Sequence, residues 1–343
     1  MPRTEKSTKY RPMNVVVRRG SKAEKHFRAM AALPGGASPE PDVLAPGLPP
    51  TPKHNLVFHG GRTMPALTFF NFYIGGAGSW DSGDRANIDK ALAAAMSDRN
   101  LNNVMMQYFK NQQITSTFKG STVLPGTKPD SFSQADIETL VKSLHAQGTL
   151  KGYDLTSTVF NFLLPRGSVL TTDSNGSSSV GASNASHRNP VHPEEDDSSL
   201  EGLGGYHGSV HVAPDTKIYY AIGVYSELLP DGRTNGIVAF DAPWKNIVAT
   251  FYHELNEART DADVEDAIRA GNDPGAVKFL GWVSRQGEEC GDFPVSEATD
   301  LHLVMKEVGL TEGNGKVPIQ FQYSNAVSGP EGPIPQPHPL KHA

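Results

Sequence analysis

The sequence predicts an α/β fold, a mixed β-sheet with flanking helices, and three observations carry that expectation. Runs of strand length rich in β-branched and aromatic residues alternate with helical patterns. The helical stretches repeat apolar residues three and four positions apart. Turn formers are abundant, 34 Gly and 26 Pro in 343 residues, so the elements are short and separated by loops.

In chain order, Asn55 to His59 (NLVFH) reads as a buried strand and Arg85 to Met96 as an Ala-rich amphipathic helix. A second helix follows over Asp130 to Gln147. Ser133 is placed to cap it, Ile137, Leu140, Val141 and Leu144 form its apolar face, and Gly148 ends it. Ser157 to Leu164 (STVFNFLL) and Lys217 to Tyr225 (KIYYAIGVY) are expected to be central strands. Asp241, as N-capping acid, and Pro243 in the first turn begin a helix that continues unbroken from Trp244 to Arg259.

Composition divides the chain. Residues 1 to 30 carry nine Lys or Arg against two Glu, and Leu33 to Pro52 is too rich in Pro and Gly for helix or central strand. Residues 1–53 are therefore expected to be a disordered basic arm and linker. A single metal-binding α/β domain is expected over 54–330, interrupted by a mobile Ser-rich loop at 167–204, with a flexible Pro-rich tail at 331–343. The loop's sequons at Asn175 and Asn184 are assigned no function.

A formal charge of -6 gives no attraction to polyanions, so no nucleic-acid partner is expected. No run is long and apolar enough for a transmembrane segment, and no signal-peptide pattern opens the chain. The expectation is a cytoplasmic location or export by a non-classical route. One cysteine, Cys290, forms no intramolecular disulfide and is read as a small packed residue.

The chemistry concentrates in Tyr252-His253-Glu254-Leu255-Asn256-Glu257. Four residues apart on a helix, His253 and Glu257 share a face and can converge on one cation. Glu254 lies beside them, where it could polarise a bound water. The pattern has the geometry of the HExxH helix of zinc peptidases, a zincin-like active-site helix, with the second imidazole replaced by a carboxylate. Glu289 and Asp292, in the acidic turn Gly287 to Asp292, could complete the coordination sphere. Asp261, Asp263 and His207 compete for the same role, and the sequence leaves the third ligand open. His207, Ser209 and His211 would share one face of a strand, and no GxSxG elbow supports a serine hydrolase.

The order of these segments resembles the plant phosphate-induced, EXORDIUM-like proteins and their bacterial and fungal relatives, some of which carry a zincin-like HExxE helix. The matching pieces are NLVFHGG from Asn55, QYF at Gln107 to Phe109, SQADI from Ser133, GYHG around Tyr206 and HELNEARTD from His253. Gly281-Trp282, EECGD ending at Asp292 and QYSNA at Gln322 to Ala326 complete the series. The resemblance covers roughly residues 55 to 330. It implies His253 and Glu257 as metal ligands, Glu254 as base and Glu289 or Asp292 as the further carboxylate. Asp261-Ala262 departs from an Asp-Pro common in the relatives, and the cysteines that relatives carry near the acidic turn and the C-terminus are absent apart from Cys290.

The function expected from these residues is a metal-dependent hydrolase, zinc-dependent and metallopeptidase-like, acting on a peptide or protein through Glu254 with His207 nearby. The alternative is a non-catalytic surface or extracellular interaction protein with a structural metal, calcium being the other cation considered because most candidate ligands are oxygens. The plant relatives largely lose the HExxE residues, which keeps that alternative open.

Overall fold

A computed structural model of the chain describes residues 12–31, 50–172, 197–271 and 273–339. Its centre is a six-stranded sheet built from β1 (Val15–Val17), β2 (Ala66–Tyr73), β3 (Thr115–Val123), β4 (Thr158–Leu163), β5 (Leu203–Ala213) and β6 (Thr216–Gly223). The spatial order is β1-β5-β6-β4-β2-β3. From β6 to β3 the strands are parallel, whereas β5 is antiparallel to β6 and β1 antiparallel to β5. The fold is thus α/β with a mixed sheet, as the alternation of patterns predicts.

Alternation along the strands sends side chains to two cores. In β4, Val159 and Leu163 join one core while Phe160 and Phe162 join the other. Likewise Tyr219 and Ala221 of β6 face opposite to Ile218, Tyr220 and Ile222. The first core is covered mainly by two long helices, Ser82–Ser97 and Pro243–Thr260. The second is covered by Lys22–Ala31 and Gln134–Ala146. These four helices are α1 (Lys22–Ala31), α2 (Ser82–Ser97), α3 (Gln134–Ala146) and α4 (Pro243–Thr260). A short helix α5 (Asp292–Glu297) and a hairpin of β7 (Met305–Gly309) and β8 (Lys316–Gln320) follow.

Ser133 caps α3 through a reciprocal box with Asp136, the pattern read from the sequence. Asp241 does not cap α4: the cap is Ala242, and the Asp241 carboxylate instead accepts from Lys245 Nζ at 2.9 Å. Pro243 alone supplies the start signal there. NLVFH is likewise not a buried strand. Only Val57–Phe58 pairs, with Trp282–Val283, and both of its side chains are exposed.

Residues 12–31, expected to be a disordered arm, form β1 and α1. Val15, Val16 and Val17 are buried, and the helix docks through Ala23 and Phe27. Charge density concealed this apolar face, because the basic residues lie around it rather than on it. The Ser-rich loop falls largely outside the described residues; at its described flanks, Thr171 bridges Ser198. Near the C-terminus, Ile334 is tied by its backbone to Asn100 and Asn103, so residues 331–339 are not a free tail.

Candidate metal centre

The candidate residues converge beneath β1 and β5. On β5, Tyr206 and Val210 point into the second core, so His207 points to the opposite face, toward α4. That helix is buried along most of its length, and His253, Glu254 and Glu257 are each 0% exposed. The turn before α5 brings in Glu289 and Asp292, also buried.

Orientation of His253 follows from hydrogen bonding. Gln320 of β8 donates through Nε2 to the carbonyl of Gly291 at 2.7 Å, leaving its Oε1 as acceptor, 2.8 Å from His253 Nδ1. Nδ1 must therefore carry a proton and donate, and in the neutral ring Nε2 holds a lone pair. Nε2 faces Glu257 Oε2 at 2.9 Å and Asp292 Oδ1 at 3.9 Å. Acceptor faces acceptor, an arrangement that requires a cation or a proton between them.

Glu257 is itself held. Its Oε1 accepts from the Gly291 N–H at 2.9 Å, which leaves Oε2 for the shared space. Gly291 can approach because it has no side chain: a Cβ there would lie 2.3 Å from the His253 ring. Asp292 Oδ2 accepts from the Glu289 N–H at 2.9 Å, freeing Oδ1 in the same way.

Two overlapping sets result, His253 with Glu257 and Asp292, and His207 with Glu257 and Glu289. Within each set the ligand atoms lie within 4.8 Å of one another. His253 Nε2, Glu257 Oε2, Glu289 Oε1 and Asp292 Oδ1 are buried without hydrogen-bond partners. These buried groups could bind a metal ion, and the donor set, imidazole nitrogen plus carboxylate oxygen, suits one.

Burial holds Glu254, Glu289 and Asp292 well above the usual carboxylate range, and the charge of Glu257 pushes each of them further up. For Glu254 the Val16 backbone N–H opposes the rise. Neither Glu254 oxygen has a hydrogen-bond partner. Burial lowers His207 to about 4, against the charge of Glu257. Glu289 Oε2 lies 3.0 Å from His207 Nε2.

Of the competitors, Asp263 is occupied elsewhere, by Lys217 at 2.6 Å and the Tyr219 hydroxyl at 2.9 Å. Asp261 accepts from the Gly281 N–H at 2.6 Å and belongs to neither set. His211 pairs with Asp266 at 2.7 Å, far along β5 from His207. Cys290 is a packed thiol, buried and raised well above its ordinary value by that burial.

Gln320, Gly291 and the β1 cover were not legible as site residues. Gln320 ends the run Lys316–Gln320 with the parity of exposed Lys316, opposite to the core residues Val317 and Ile319, so the pattern gave no hint of a buried amide. Against family models, curated proteins and solved structures the chain gives no match.

Proposed function

We propose that the chain is a metal-dependent hydrolase, peptidase-like, whose cation is held by His253, Glu257 and Asp292, with Glu289 and His207 adjoining. The observation that carries this reading is the His253 Nε2 lone pair set against the Glu257 and Asp292 oxygens, with the partnerless Glu254 carboxylate on the next residue. Zinc is the favoured ion, since imidazole with few carboxylates is a zinc set and calcium asks for six to eight oxygens. When bound, such an ion lowers the pKa of a coordinated water and polarises a carbonyl. Glu254 Oε1 or Oε2 then takes up a proton from the attacking water and returns it to the leaving nitrogen. His253 is oriented by Gln320, and Glu257 by the Gly291 amide.

The peptide class is supported by the sheet. Without β1, β5 would be the sheet edge beside α4, and an extended peptide recognises such an edge by adding a strand. In this structure β1 takes that place, with Val16 opposite Gly205 and its backbone N–H facing Glu254. Hydrolysis therefore requires β1 to give way. The EXORDIUM-like resemblance supports the same ligands.

Complete burial of the cluster favours a second reading, a structural ion that ties α4 to the turn before α5. Elemental mass spectrometry on untagged protein, followed by a peptide-cleavage assay, separates them. Zinc with cleavage supports the hydrolase; bound metal without cleavage after β1 is displaced supports the structural ion. Protein that stays metal-free when zinc is offered back overturns both.

A further inference from the structure

Glu289 and Asp292 sit on one short segment, and a single side chain from α1 holds that segment on both sides. Arg28 donates through Nη1 to Glu288 Oε1 at 2.8 Å, immediately before the first carboxylate. Its Nη2 donates to the Ser296 hydroxyl on α5 and lies 3.3 Å from Glu297 Oε1, beyond the second carboxylate. Nε donates to Glu24 Oε1 at 2.8 Å, one helical turn back on α1. Glu24 also accepts from the Gly20 N–H at 2.6 Å, so the guanidinium is itself braced. All three guanidinium nitrogens are committed, and their planar fork bridges residue 288 to residues 296 and 297.

The near end of this bridge is anchored a second time. Glu288 is buried, and its Oε2 accepts from the Ser284 hydroxyl at 3.2 Å and lies 2.7 Å from His54 Nδ1. The Ser284 N–H donates to the Glu288 carbonyl at 2.7 Å, which closes the turn ahead of the ligands. From the chain before β1, the Met13 N–H donates to the Gly287 carbonyl at 2.9 Å. At the far end the Arg19 guanidinium donates to the Glu297 carbonyl. The N-terminal segment thus reaches the turn at 287, 288, 296 and 297, on either side of both ligands.

Release of an ion requires Glu289 and Asp292 to swing away from His207 and His253. With Arg28 across the two ends of their segment, that motion must break charge-assisted bonds at both ends together. Partners that orient ligands in this way set metal affinity although they never touch the ion.

We infer that Arg28 is a positioning residue of the metal centre, fixing the turn that presents Glu289 and Asp292 and coupling the docking of α1 to retention of the ion. This rests on the metal reading above and divides the N-terminal segment by role. β1 covers Glu254 and must yield for cleavage, whereas α1 must stay docked for the ion to stay.

Cys290, the chain's single cysteine, is buried between the two carboxylates in sequence and reports opening of the turn without any metal. Two rates are measured on the intact protein: zinc transfer to a chelator, and reaction of the Cys290 thiol with a disulfide reagent in zinc-free protein. Arg28→Met should speed zinc transfer by about tenfold or more, with the Cys290 rate rising alongside. Arg28→Lys keeps the charge but cannot answer both ends, so it should fall between, and it serves if the first variant does not fold. Phe27→Leu loosens the same helix in the second core without reaching the turn, and at an equal loss of melting temperature it should leave both rates near wild type. With zinc bound, the inference is overturned if a folded Arg28 variant releases it at the wild-type rate, or if Phe27→Leu speeds release as much. If wild-type protein takes up no zinc, the metal reading has failed, and an unchanged Cys290 rate then removes the role of Arg28 in the turn as well.

Discussion

His253 Nε2 and Glu257 Oε2 stand 2.9 Å apart, one helical turn from each other, in a helix where neither side chain reaches solvent. With Nδ1 committed to Gln320, this contact holds two electron-rich atoms together and marks where a cation or a shared proton must sit.

The first consequence is metal dependence of stability. Protein purified without chelator should contain about one zinc per chain, and stripping it should lower the melting temperature. A ligand at about a hundred times its Kd contributes about 2.7 kcal/mol to a fold that binds it only when native. His253→Ala should lose both metal and that increment. A metal-free protein that melts where the zinc-loaded one does would remove the ion from the fold's energetics.

Glu254→Gln separates chemistry from binding. The amide keeps the size of the side chain but cannot take a proton, so metal content should stay while turnover falls by about 10²-fold or more. The readout is the ratio of metal content to turnover in the same preparation. Undiminished turnover in the variant would reassign the base.

How much of this was legible beforehand depends on what each feature rests on. α3, β4 and β6 follow from local pattern, since a capping box and β-branched runs act on their own neighbours. β1 was hidden because three valines between basic residues become a strand only when β5 is there to pair with them. Glu289 and Asp292 were legible as candidates to complete the set of His253 and Glu257, but not the division that places Asp292 beside His253 and Glu289 beside His207. Their separation is set by the glycine at 291, whose lack of Cβ lets the turn meet α4. Arg259 read as part of a helix motif. Its complete burial appears only once the strand Thr115–Val123 packs over it.

A pH experiment follows from Asp261. Burial, reinforced by Asp263 and Glu257 and opposed by the Gly281 amide, raises its carboxyl to about 8. Unfolded, it titrates near the usual 3.9 or so. The native state thus binds the proton more tightly, and stability from this group is present at low pH and lost as pH rises from about 4 through 8. Asp261→Asn retains the oxygen that accepts from Gly281 and does not titrate. In metal-free protein the variant should match wild type near pH 4 and exceed it at pH 9, measured by urea denaturation. Parallel curves across that range would show that Asp261 ionises in the fold without penalty.

Val16 decides whether β1 is a cover or a fixed part of the sheet. It opposes Gly205 in the antiparallel pair, its side chain packs in the core shared with α4, and its N–H faces Glu254. Proline at this position removes the N–H and fixes φ, which a paired strand does not accommodate. Val16→Pro should therefore loosen β1 while the parallel strands β2, β4 and β6 persist. Hydrogen exchange should quicken at the amides of Gly205 and His207, which face β1, and stay slow at Phe160 and Phe162. A chelator should then remove the ion faster than from wild type, and cleavage of an unstructured peptide should rise, because the edge of β5 and the Glu254 carboxylate become reachable together. If exchange quickens at β5 while metal release and cleavage stay at wild-type rates, access to the cluster is controlled by α4 and the turn at Gly291, and β1 is structural.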